Sequence, residues 1–156
     1  METTGMETTR DTQLDAWFAA MPPVAAMGIR SAGHDGEVLR LFAPLAANVN
    51  DKACAFGGSI VALMTLTCWA LVEAVLRQRG EDCDVFVADS TVRYLDPIWN
   101  DLRAEATLAP GANWKGFFGM LKARGRARGD FTCVVPGADG KPMASLDARF
   151  VAKRRA

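Results

Sequence analysis

The sequence predicts an α+β domain in which one long helix is wrapped by a single antiparallel sheet. Three observations carry that reading. From Ala53 to Val72 the chain holds 20 consecutive uncharged residues, opened by Gly57-Gly58-Ser59 and apolar around most of a helical cylinder. Downstream, apolar and polar residues alternate in short runs parted by turn residues, the mark of half-buried strands. The 156 residues, half of them hydrophobic and 23% charged, suit one domain able to bury about 68–70% of its unfolded surface.

The elements follow in order. Residues 1–10 read as a disordered, acidic tail with a short duplication and an alternative start at Met6, leaving 11–156 as the domain. Asp11 to Met21 reads as a short amphipathic helix capped by Thr12, with Leu14, Trp17 and Phe18 on one face and Pro22-Pro23 as its stop. Val24–Ser31 and Glu37–Ala43 read as a hairpin about the turn cluster Gly33-His34-Asp35-Gly36. The long helix runs over about Gly57–Gln78 and stops at Arg77-Gln78-Arg79-Gly80, cations in the last turn and glycine beyond. Strands are then expected at Asp84–Leu95, Asp101–Ala109, Trp114–Arg128, Phe131–Val135 and Met143–Ala152.

Composition narrows the function. Residues 1–100 carry 7 Lys/Arg against 13 Asp/Glu and residues 101–156 carry 11 against 5, so a neutral total hides segments of −6 and +6. A neutral total offers no general attraction to nucleic acid, and no aromatic-interleaved basic motif argues for it. The uncharged run is long enough to span a bilayer, but its glycines, Thr65, Thr67 and the Glu73 at its end favour a buried core helix. Cys54, Cys68, Cys83 and Cys133 form no C-x-x-C pair and have no neighbouring histidine, which argues against a metal site and for reduced, buried thiols in a cytoplasmic protein. The acidic, polar residues 1–9 do not read as a secretory signal.

The chemistry concentrates between Asn48 and Ser59. The first N–H groups of a helix lack intrahelical partners and carry partial positive charge, and glycine lets another group approach them. The Gly58 N–H is thus a candidate donor to an oxyanion forming on a thioester carbonyl. Asn50 can add a side-chain N–H, and Asp51 can serve as general base on a water or attack directly. The same Asn and Asp are equally ordinary turn formers and caps. Farther along, Lys122, Arg124, Arg126 and Arg128 recur at period two, as one cationic strand face suited to phosphates or to an acidic protein, or simply as a solvated face.

Asn48-Val-Asn-Asp-Lys52, Phe56-Gly-Gly-Ser59, the long helix, Val92–Pro97 and Gly125–Arg128 resemble the hot-dog fold thioesterases, and among them the thioesterase domain at the C-terminus of YiiD-type acetyltransferases. The resemblance covers about residues 12–152. It implies a five- or six-stranded antiparallel sheet around a central helix, a homodimer or dimer of dimers with sites at the subunit interface, and acyl-CoA or acyl-carrier-protein as substrate. No cofactor is implied beyond the coenzyme A or phosphopantetheine of the substrate itself. Residue by residue, Asn50, Gly57 and Gly58 match the family's Asn…His-Gly-Gly pattern. Phe56 stands where the histidine is often found, and Thr65 where the helix carries its acid; Thr65 can hold a water instead. Asn48, Phe56, Gly57 and Ser59 would flank the substrate.

Other groups compete less well. Glu73 is expected to be solvated near the helix end, although it can also close the far end of a tunnel. Asp89 in an apolar strand would be costly facing inward unless used. His34 is expected in solvent, and Cys54 lacks a histidine to activate it. Besides hydrolysis, the missing helix acid leaves open a non-catalytic module that binds acyl thioesters as sensor or carrier. A dehydratase would want a His and acid pair that is absent from this stretch.

Overall fold

The structure, a computed structural model, describes residues 10–156; the tail and the alternative start at Met6 concern residues 1–9 and lie outside it. Arg10 is anchored, its Nε 3.0 Å from Asp15 Oδ2. Helix α1 spans Thr12–Ala20 and buries Leu14 and Phe18. Its cap is Asp11 rather than Thr12: one position earlier, the carboxylate accepts from the N–H groups of Gln13 (3.1 Å) and Leu14 (3.0 Å).

Pro22-Pro23 ends α1 and also starts a second helix, α2 (Pro22–Ala26), because proline is suited to a first helical turn. The strand expected from Val24 therefore begins only after Gly28, whose φ of 68° breaks the helix. It is β1 (Arg30–His34), antiparallel to β2 (Leu39–Ala43).

Helix α3 covers Gly57–Gln78, the span expected from sequence. It buries Ile60, Leu63, Met64, Cys68, Leu71 and Val75 among others, and a six-stranded sheet curls around it. The remaining strands are β3 (Cys83–Tyr94), β4 (Leu102–Leu108), β5 (Arg126–Pro136) and β6 (Pro142–Arg154). All pairings are antiparallel, in the order β1-β2-β4-β5-β6-β3. The inward positions of the central strands are often alanine: Ala104, Ala106, Ala127, Ala144, Ala148 and Ala152 are all buried. Small side chains on the concave face let the backbone approach a helix bearing large ones. This is the hot-dog arrangement.

The expected strand at Trp114–Arg128 is a helix for most of its length. Helix α4 spans Trp114–Arg124, with Asn113 accepting from Gly116 N–H at 2.7 Å as its cap. Trp114, Phe117, Phe118 and Leu121 stand at i, i+3, i+4 and i+7, a helical spacing that overrides the glycines at 116 and 119. Gly125 closes it in the left-handed region at φ 69°. The expected single row of cations is thereby divided: Lys122 and Arg124 lie on the last turn of α4, Arg126 and Arg128 on β5.

Asp89 also differs from expectation. A bulge between Val87 and Asp89 turns its side chain outward, 72% exposed and 4.0 Å from Arg149. Elsewhere on this edge the oppositely charged segments of the sequence meet. Arg154 forks onto Glu81 (2.8 and 3.0 Å), and Arg155 reaches Asp82 (2.7 Å) and Asp84 (2.8 Å).

Gly125 makes a direct test of the α4-to-β5 turn. Nothing lies within 4 Å of where a Cβ would stand, so Gly125→Ala suffers only the left-handed backbone. Urea denaturation should report a loss of about 1 kcal/mol, with activity retained.

Candidate active site

A tight loop feeds α3. Asn48 is its buried anchor, 2% exposed. Its Nδ2 donates to the carbonyls of Met27 (2.9 Å) and Pro44 (2.7 Å), and its own carbonyl accepts the Phe56 N–H at 2.7 Å. Its Oδ1 is buried and has no hydrogen-bond partner among the described residues. Asn48, expected beside the substrate, is thus a tie between loop, α2 and strand end.

Asn50 shapes the next turn. Its N–H donates to Cys54 O (2.8 Å), and its Oδ1 accepts from the N–H groups of Lys52 (2.8 Å) and Cys54 (3.2 Å). Its Nδ2 donates to Cys54 Sγ at 3.2 Å and keeps a second hydrogen to give. Asp51 rides on the turn, 80% exposed, with Oδ1 2.9 Å from Lys52 Nζ. Ala53 sits at φ 66°, a conformation rare for a residue with a Cβ and held by this hydrogen-bonded ring.

The start of α3 is bare. Phe56, at the N-cap, offers no side-chain bond. The first backbone bond is from Ile60 N–H to Phe56 O at 3.0 Å, and the Gly58 N–H has no partner among the described residues. Two rings stand over the glycines. A Cβ on Gly58 would lie 2.5 Å from Phe56 Cε1, and one on Gly57 would meet the Tyr94 ring at 3.6 Å. Tyr94 also donates its hydroxyl proton to Gly57 O at 3.2 Å. Ser59 is buried on the same turn.

Seven residues on, about 10 Å along the helix, Thr65 opens onto an apolar groove of about 540 Å³ walled by Met21, Val24, Leu66, Trp69, Phe86 and Phe150. Met21 and Trp69 also line the adjoining cavity that holds Glu73 and Arg155. Glu73 is therefore half-buried rather than solvated, and burial raises its carboxyl above the usual range despite Arg155 and Arg77 nearby. Trp69 and Tyr94 were missed from sequence. Trp69 falls on the helical period of the groove wall, and Tyr94 ends a strand opposite the glycine pair.

The structure does not bring every candidate together. Arg124, Arg126 and Arg128 converge with Arg149 on a separate cleft of about 340 Å³, which Lys122 does not line. Arg149 bonds Asp130 at 3.3 Å, whereas no carboxylate among the described residues lies within 4.0 Å of the other three. His34 ends β1 near Gln78, at the far end of α3, with Nε2 buried and unpartnered among the described residues instead of standing in solvent. Cys54, Cys68, Cys83 and Cys133 are all buried free thiols.

Two outcomes follow from these contacts. Asn48→Ala leaves two carbonyls without their donor and should cost about 2 kcal/mol in chemical denaturation. Burial holds the His34 imidazole below its ordinary value. The unfolded chain then binds the proton more readily, so stability is complete above about pH 6.5 and falls as acid is added through that value toward the folded one. Unfolding midpoints measured at about pH 5.5 and 7.5 should differ less in His34→Gln than in the parent.

Known proteins resemble this chain over most of its length. A family described as "Putative thioesterase (yiiD_Cterm)" matches residues 12–154. A putative thioesterase from Shewanella oneidensis superposes with a TM-score of 0.80 at 28% identity, over 91% of this chain and 96% of that one. A protein of unknown function from Chlorobaculum tepidum TLS reaches 0.86 at 24% identity, covering 92% and 94%. The PaaI protein of the phenylacetic acid degradation operon of E. coli shares the fold at 0.63 and 15% identity, covering 93% and 92%. With the match running from α1 to the end of β6, the chain belongs to the yiiD_Cterm family of thioesterases.

Proposed function

We propose that the chain hydrolyses acyl thioesters of coenzyme A or acyl-carrier protein at the bare first turn of α3. The observation that carries this is the unpartnered Gly58 N–H, in a glycine pair flanked by the Phe56 and Tyr94 rings and about 10 Å along the helix from an apolar groove. In this reading the acyl chain lies in the groove and its carbonyl oxygen accepts from Gly58 N–H, aided by the spare Nδ2 hydrogen of Asn50. Water attacks the carbonyl carbon while Asp51 takes its proton. The tetrahedral oxyanion then collapses, the C–S bond breaks, and Asp51 returns the proton to the departing thiolate. A donor aimed at such an oxyanion contributes on the order of 3 kcal/mol to the transition state. Thr65 is suited to hold water at the groove, and Phe56, Gly57 and Ser59 flank the thioester.

A second copy of the chain belongs to the same reading. β3 is a sheet edge of 12 residues paired only to β6, with Phe86, Val87 and Tyr94 exposed. Val49, Phe56, Leu95 and Trp99 are exposed in the loops bordering the glycines. Such an edge and rim call for a cover. A homodimer, or a dimer of dimers, would supply it and draw Asp51 out of water. The arginine cleft is read as the anion site for the phosphates of the substrate, with Arg149 added and Lys122 at its border. Four buried thiols suit a reducing cytoplasm.

The exposure of Asp51 favours one other reading, a module that binds acyl thioesters without cleaving them. Thiol release measured over short, medium, long and aromatic acyl-CoAs separates the two: tight binding with no thiol released establishes the module. For the hydrolase, Asp51→Asn should lower kcat/KM by about 10²–10⁴. Its melting temperature should hold, because an exposed ion pair to Lys52 contributes little. An unchanged rate would remove Asp51 from the mechanism.

A further inference from the structure

We infer that Tyr94 is a positioning residue that fixes and polarises the peptide whose N–H faces the oxyanion, an assignment that rests on the hydrolase reading above. The peptide group is a rigid plane, so the carbonyl of Gly57 and the N–H of Gly58 are two ends of one unit. The Tyr94 hydroxyl donates to that carbonyl at 3.2 Å. In a helix the carbonyl already accepts from the N–H four residues on, so Tyr94 takes its second lone pair. Drawing electron density toward the oxygen leaves the N–H more positive, the cooperative strengthening expected of linked hydrogen bonds.

The need for such a device is local. Two adjacent glycines make the least constrained peptide a helix start can have. No capping side chain holds this helix start, since Phe56 provides none. Among the described residues Tyr94 is the one side chain bonded to this turn. It comes from a different element, anchored by the pairing of β3 with β6 at Ala144. Its ring stands close enough to Gly57 that a Cβ there would be in ordinary contact at 3.6 Å. The residue is nonetheless 56% exposed, so core packing does not account for it. The hydroxyl thus ties the sheet edge to the peptide that does the chemistry.

Tyr94→Phe keeps the ring and removes the bond. Its first readout is independent of turnover: in a ¹H–¹⁵N correlation spectrum the Gly58 amide should move upfield while the amides of α1 and β1 stay in place. In thiol-release assays with the best acyl-CoA, kcat should fall about tenfold with KM within about twofold, short of the 10²–10³ expected when an oxyanion donor itself is lost. The melting temperature should be unchanged, which a purely structural tie would not allow. An unmoved Gly58 amide, or a variant turning over at the parent kcat, overturns the role of Tyr94 and leaves the hydrolase reading standing. A parent that releases no thiol from any acyl-CoA or acyl-carrier protein overturns the hydrolase reading and this role with it, even if the Gly58 amide moves.

Discussion

The rest of this molecule depends on the need to enclose one apolar cylinder. Helix α3 carries large side chains around most of its circumference, and no single face of a flat sheet can cover them. The sheet answers by curling, and the alanines on its inner face permit the close approach. Helix α1 sets Trp17 edge-on to Trp69 of α3 at 5.9 Å, and α4 lies against β5 and β6. There Arg79, just past the end of α3, lies 4.2 Å from the centre of the Phe118 ring. Because the helix is gripped along its length, its first turn is held still while remaining open. A bare helix start in a loosely held element would soon find its own cap.

The same enclosure explains which parts could be read in advance. The bounds of α3 were legible because glycines open it and Arg77 to Gly80 close it, signals that are local and chemical. Strands β3 and β4 were legible within a residue or two from alternation alone. The failures share one cause, a local signal with two meanings. Pro22-Pro23 both stops a helix and starts one, so Val24 to Ala26 are helix where the sequence suggests strand. Trp114 to Leu121 has helical spacing, but glycines at 116 and 119 interrupt it and strands stand on either side. The row of cations from Lys122 to Arg128 inherited that error.

The site divides in the same way. That Asn48 to Ser59 delivers backbone donors to one place could be inferred from glycine and the helix start. How the asparagines are used could not. Asn48 and Asn50 are spent largely on holding the loop, because buried carbonyls and N–H groups in a tight turn must find partners. The arrival of Tyr94 at Gly57 depends on strand register across the sheet, which no nearby residue encodes. Asp89 shows the converse, since one bulge moved a carboxylate from the costly side of a strand to the free one.

The division of charge along the sequence has a further consequence, in time rather than in space. Acids at 81–84 find their arginines at 154 and 155, partners 71 to 73 residues away. β3 pairs with β6 alone, so it stays unpaired until nearly all of the intervening chain exists. Closing so long a loop is slow, and contacts this distant delay folding. During synthesis, α3 would stand with one wall missing and an apolar strand hanging beside it. The net negative charge of residues 1–100 and the net positive charge of residues 101–156 then act as a long-range guide. Like charges keep the waiting strands of two nascent chains apart, and opposite charge draws β6 to β3 when it arrives.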